Sequence, residues 1–202
     1  MNSQIFGNLN FSKANKPYII AEIGVNHEGS LEKAINLIDL AKEGGANAAK
    51  FQSYKANTLA SKNSPSYWDR SKETTSTQYE LFKKYDNFNE NEYIKLSEHC
   101  YHIGIDFLST PFDDDSVDFL NPLVPFFKIA SADITNIPLL RKIALKDKPI
   151  IISTGAASLP EIELAINIIK SVSSIEPALM HCILCYPTDD IDANLGMIKH
   201  LK

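Results

Sequence analysis

The sequence predicts an α/β protein of parallel strands, laid out as a (β/α)8 barrel cut short after about six β/α units. Three observations carry that expectation. Apolar, β-branched runs alternate strictly with helical segments, six times along the chain, which requires parallel strands and crossover helices. Polar side chains stand at the end of every predicted strand, from Glu22 in the first to Tyr186 after the last. Contributions from all strands suit a barrel mouth better than an open doubly wound sheet, whose site centres on one or two loops. The loop after the first strand, Gly24-Val-Asn-His-Glu-Gly29, also lacks the G-x-G-x-x-G fingerprint of an open dinucleotide-binding sheet. A whole barrel takes about 250 residues, so the chain of 202 residues is expected to be one domain over 1–202 with two units absent.

The first strand is predicted over Pro17–Ile23, ending at a loop crowded with Glu22, Asn26, His27 and Glu28. Ser30 then caps a helix over Leu31–Glu43, which Gly44-Gly45 stops. Asn47–Gln52 is the second strand. Ser53–Asn87 is a long polar insertion of weak periodicity with a short helix over Thr77–Lys84; a loop of that length in a compact domain is functional or mobile. Asn89–His102 is a helix, with Asn89 as N-cap and Gly104 just past its end. Ile105–Ser109 is a strand, Asp113–Leu120 a short helix with acids in its first turn, and Pro125–Ala130 a strand. A helix from Thr135 or Asn136 to Leu145 leads to a strand over Pro149–Ser153. Leu159–Val172 is a helix with Pro160 in its first turn, an accepted place for proline. Ala178–Cys185 is the sixth strand, and Asn194–Leu201 begins a sixth helix.

Composition narrows the function. Hydrophobic residues make up 44% and the net charge is −5, with Lys and Arg scattered, so nothing points to a nucleic-acid or membrane surface. No apolar run approaches the roughly 20 residues needed to span a bilayer, and the N-terminus has no leader-like apolar stretch. A cytoplasmic location is expected. Three cysteines do not make a disulfide framework. Cys182-Ile-Leu-Cys185 spells C-x-x-C, but residues three apart on a strand point to opposite faces, so it reads as a buried strand with small thiol side chains.

Strand alternation puts Glu22 on one face with Ile20 and Gly24, Lys50 with Ala48 and Gln52, and Lys128 with Phe126 and Ala130. Phe127 and Ile129 then face the helices. A buried lysine without a partner anion is costly. Two lysines on apolar strands, converging with several hydroxyls, suit an anion that carries phosphate and carboxylate groups.

Six stretches together carry a resemblance: Ala21-Glu-Ile-Gly-Val-Asn-His-Glu-Gly29, Lys50-Phe-Gln52, Ser109-Thr-Pro-Phe112, Phe127-Lys-Ile-Ala-Ser131, Ser153-Thr-Gly155 and His181-Cys…Tyr186-Pro-Thr188. In order and in spacing, the chain resembles the sialic acid synthase family, which includes N-acetylneuraminate synthase and its legionaminic and pseudaminic acid relatives. That likeness implies a TIM-type barrel that condenses phosphoenolpyruvate with an N-acetylated aldose to give a nonulosonic acid. Carried over to matching positions, Lys50, Lys128, Ser131 and Ser153 would bind the phosphate and carboxylate, with Thr110 and Gln52 beside them. Glu22 would contact the sugar and handle protons, and Tyr186 would line the sugar pocket. Asn26 and His27 are further candidates for substrate binding.

The resemblance also implies a divalent metal, manganese or magnesium, that holds the aldehyde, and a homodimer for the full-length relatives. The metal-binding histidines, a third phosphate-binding serine and a C-terminal antifreeze-like domain of the family have no counterpart before Lys202, so no metal ligand is assigned here. Leu184 departs from the family pattern, where an asparagine is associated with that position in neuraminate-forming members. On the predicted strand it shares the inward face with Tyr186, which leaves room for a 2,4-diacetamido sugar rather than N-acetylmannosamine. Another phosphoenolpyruvate-dependent sugar-acid synthase, or a catalytically defective fragment that only binds ligand, are the alternatives. Residues 1–202 alone are expected to be inactive as a synthase.

Overall fold

Residues 16–202 are described in the computed structural model, together with the backbone of two short strands that pair antiparallel, β1 (Ile5–Phe6) and β2 (Leu9–Asn10). The rest of the first fifteen positions of the expected 1–202 domain lies outside the described residues. Six strands follow: β3 (Ile20–Gly24), β4 (Ala48–Ser53), β5 (Asp106–Pro111), β6 (Phe127–Ile129), β7 (Ile150–Ser153) and β8 (Ala178–Met180). They form two parallel three-stranded sheets, β3-β4-β5 and β6-β7-β8. β5 and β6 lie side by side without a ladder between them. The α/β class and parallel strands are as expected; the barrel is not closed.

Helices cover the outer faces. They are α1 (Leu31–Glu43), α2 (Ala56–Leu59), α3 (Gln78–Tyr85), α4 (Glu90–Ile103), α5 (Asp114–Leu120), α6 (Ile137–Ala144) and α7 (Leu159–Lys170). Their ends lie where capping chemistry sets them. Ser30 Oγ accepts from Lys33 N–H at 3.2 Å, Asn89 and Glu92 form a reciprocal capping box, and Gly104 leaves α4 at φ 72°, a left-handed position that glycine takes without strain. Strands buried on both faces need apolar residues at consecutive positions. β7 meets that need with Ile150, Ile151 and Ile152, all buried. Phe51, Phe127, Ile129 and Ile152 join Ile38, Leu96, Leu140 and Ile143 in one core between strands and helices.

The insertion after β4 is more ordered than its composition suggests. The short helix predicted over Thr77–Lys84 is present as α3, with Thr77 as its N-cap, and α2 adds a turn that the weak periodicity concealed. Lys55–Asp86 at 3.0 Å and Lys84–Glu73 at 2.9 Å pin the segment down.

The predicted sixth strand is corrected. It stops at Met180 instead of running to Cys185, because β7 has no residue left to pair: Ser153 sits opposite Met180, and the chain then turns at Thr154-Gly155. Cys182 and Cys185 are therefore not a buried strand; Cys182 is half-buried and Cys185 exposed. The sixth helix is also shorter than predicted, a 3-10 turn over Leu195–Lys199 entered through Asn194 at φ 42°.

Candidate active site

The C-terminal ends of both sheets open into one cleft of about 480 Å³. Register explains who meets whom. Glu22 lies opposite Lys50, and Gln52 opposite Thr110. Glu22 and Lys50 form a close ion pair, and Lys50 Nζ also donates to Thr110 Oγ1 at 3.2 Å. Gly24, at φ 57°, makes that crowding workable. A Cβ there would come within 3.3 Å of Glu22 Oε1 and 3.6 Å of Gln52 Nε2. From behind, Tyr93 OH donates to the Gln52 carbonyl at 2.7 Å, and the Ser53 and Ser109 hydroxyls share a hydrogen bond of 2.6 Å. These bonds fix the strand ends that carry the site.

The second sheet supplies the opposite wall through Lys128, Ser131 and Ser153. Lys128 is 8% exposed and its Nζ donates to the Ile129 carbonyl at 3.0 Å. Among the described residues no carboxylate lies within ion-pair distance of it. Burial, then the nearby Lys50 ammonium, draw Lys128 down to about 8, against weaker opposing effects of Cys182 and Glu22. Along the cleft walls the ammoniums of Lys50 and Lys128 outnumber the single carboxylate of Glu22. That imbalance favours an anion.

Seven of the substrate and catalytic candidates thus converge on the cleft: Glu22, Lys50, Gln52, Thr110, Lys128, Ser131 and Ser153. Tyr186 lines its rim and is 88% exposed. Three candidates do not reach it. Leu184, read as a pocket wall on the sixth strand, is 58% exposed on the segment past β8, because that strand has ended. Asn26 is exposed on the loop after β3. His27 is buried and stacks on Phe88 with ring centroids 4.1 Å apart, and its Nδ1 accepts from Gly29 N–H at 3.1 Å. Burial, and then the charge of Lys33, pull its imidazole down to about 4, so it is a neutral core ring at neutral pH. Met180 and Cys182 also line the cleft, although neither was among the expected site residues. Their signal was present: both share the even-numbered face on which Leu184 and Tyr186 were placed.

For a divalent metal the fit is poor. Among the described residues no group of three His, Cys, Asp or Glu side chains could hold one. The cleft's carboxylate is already tied to Lys50.

Residues 37–202 match the family model described as the NeuB family. The chain belongs to the NeuB family. It is 43% identical over 191 residues to the N,N'-diacetyllegionaminic acid synthase of Legionella pneumophila, covering 91% of this chain and 53% of the relative. To the N-acetylneuraminate-9-phosphate synthase of Drosophila melanogaster it is 38% identical over 189 residues, covering 92% and 50%. A crystal structure of an N-acetylneuraminic acid (sialic acid) synthetase from Leptospira borgpetersenii serovar Hardjo-bovis, in complex with citrate, superposes with a TM-score of 0.81 at 38% identity, over 93% of this chain and 61% of that one. The chain spans about half the length of the curated relatives it matches. Family membership agrees with the likeness read from the six motifs.

Proposed function

We propose that this NeuB-family chain supplies the phosphoenolpyruvate-binding walls of a nonulosonic acid synthase. The reaction condenses phosphoenolpyruvate with an N-acetylated aldose, N-acetylmannosamine or a 2,4-diacetamido sugar, and releases phosphate. The observation that supports this reading most is the pair of buried ammoniums at the strand ends, of which Lys128, among the described residues, hydrogen-bonds to a backbone carbonyl and to no carboxylate. A buried cation so placed gains most from an incoming anion. Lys50 with Thr110 on one wall, and Lys128 with Ser131 and Ser153 on the other, span the phosphate and carboxylate of one small molecule. Gln52 hydrogen-bonds beside them, and Tyr186 borders the sugar.

In this reading carbon 3 of phosphoenolpyruvate attacks the aldehyde carbon of the open-chain sugar, whose oxygen takes up a proton. Water adds at carbon 2, and phosphate leaves with cleavage of its bond to that carbon. Glu22 is the residue that moves protons, and its ion pair with Lys50 holds it on the cleft wall. The ammoniums hold the departing phosphate. No step is assigned to a metal, because the described residues do not gather a set of ligands for one. A cytoplasmic homodimer belongs to the same reading of the whole protein. Among the described residues no helix is long and apolar enough to cross a membrane.

The test is the full-length protein with phosphoenolpyruvate, manganese and a panel of N-acetylated aldoses, followed by phosphate release and product mass. A nonulosonic acid is expected from at least one of them. Phosphate release with none of the panel, from protein that binds phosphoenolpyruvate, would sink the assignment.

A further inference from the structure

The C-x-x-C segment follows β8 with no ladder to hold it. Thr154 ties off the Met180 carbonyl through its N–H at 3.1 Å and its hydroxyl at 2.9 Å. Past that point, among the described residues, the backbone of 181–188 makes no backbone-to-backbone hydrogen bond. The opposite-face rule that keeps residues three apart from meeting on a strand therefore does not apply. Cys182 is anchored: a Cβ at Gly155 would sit 3.0 Å from its carbonyl oxygen. Its thiol donates to Ser153 Oγ at 3.4 Å, on the wall of the cationic cleft. Cys185 is exposed on the unladdered side, three residues on. Cys100 is buried within α4 and separate from both.

We propose that Cys182 and Cys185 form a reversible disulfide on the wall of the anion cleft, made by exchange with an anionic low-molecular-weight disulfide of the glutathione kind. The thiolate is the attacking form, and Cys182 lines the same cleft as the Lys50 and Lys128 ammoniums. The same ammoniums draw in the carboxylates of the oxidant. Cys182 sulfur attacks one sulfur of that disulfide, forming a mixed disulfide and expelling one thiol. Cys185 sulfur then attacks the Cys182 sulfur and expels the second. The protein dithiol loses two electrons and two protons, and the small disulfide is reduced to two thiols. Closing the bond withdraws the thiol from Ser153 and pulls residues 182–185 against the cleft. Phosphoenolpyruvate binding is thereby weakened at least tenfold. That consequence, though not the bond itself, rests on the cleft holding phosphoenolpyruvate.

Two readouts on the same full-length protein separate the claims. Protein incubated with glutathione disulfide is alkylated and mapped by mass spectrometry, and phosphoenolpyruvate binding is measured before oxidation, after it, and after dithiothreitol. The expected map is a Cys182–Cys185 disulfide with Cys100 free, reversible by dithiothreitol. In Cys185→Ser the expected product is a glutathione adduct at Cys182, and in Cys182→Ser neither product forms. Tight binding by reduced protein with no disulfide at these positions overturns the inference and leaves the function reading intact. A mapped disulfide in protein that never binds phosphoenolpyruvate overturns the function reading and leaves the redox couple standing. A disulfide that forms without changing a measurable affinity overturns the gating.

Discussion

Lys128 should report on its ligand through its own titration. Its ammonium, drawn down to about 8 by burial and by Lys50, must be charged to hold an anion. Affinity for phosphoenolpyruvate is therefore full well below pH 8 and declines as pH rises through it, and calorimetry across that range checks the direction. A profile flat to pH 9.5 would remove Lys128 from the site. Lys128→Ala or Lys50→Ala should each cost a charge-assisted contact of about 1.5–3 kcal/mol, a rise of tenfold or more in the dissociation constant. His27 titrates for a different reason. Its folded value of about 4 lies below the ordinary 6.5, so between those values the unfolded chain binds the extra proton. Stability is then complete above pH 6.5 and is lost as pH falls towards 4. Urea midpoints of His27→Phe, which keeps a ring against Phe88, should fall less steeply over that window. These two residues show what single positions reveal in a sequence. Lys128 was legible because a lysine in an apolar strand needs a reason; His27 was not, because only the stack on Phe88 distinguishes a core ring from a ligand.

At the scale of elements, the sequence announces starts and stops better than pairing. Ser30, Thr77, Asn89, Asp113 and Ser158 all stand as N-caps, and each is a side chain whose chemistry acts within its own first turn. Asn89→Ala should consequently cost about 1 kcal/mol of stability, read as a lower urea midpoint at unchanged slope. No shift would mean that the Tyr93 and Leu96 packing alone holds α4. The end of β8 was misjudged because nothing within Ala178–Cys185 says where its neighbour stops; that is decided by Ser153, some thirty residues away in the chain. Leu184 was displaced from the cleft by the same non-local fact, whereas β4, six residues long and paired on both sides, kept Lys50 and Gln52 where alternation put them.

For the whole molecule, the consequential feature is that the cleft straddles two separate sheets. Glu22, Lys50, Gln52 and Thr110 belong to one, Lys128 and Ser153 to the other, and between them β5 and β6 touch without a ladder. Strand alternation disclosed six parallel units; whether they share one continuous ladder depends on β6, three residues long, and no local pattern encodes that. A ligand that grips both walls adds the cross-link that the backbone omits. Binding to the folded state alone stabilises by about 2.7 kcal/mol at a hundredfold excess over the dissociation constant. Because the contacts are divided, that gain should appear in both sheets together. Hydrogen exchange with saturating phosphoenolpyruvate is expected to slow amides of β4 and of β6 and β7 in parallel. In Lys128→Ala, measured at equal phosphoenolpyruvate concentration, protection should shrink in both, although the lesion lies in only one. Protection confined to β6 and β7 in the unsubstituted protein would mean that the anion rests on one wall, and that Lys50 serves Glu22 rather than the substrate.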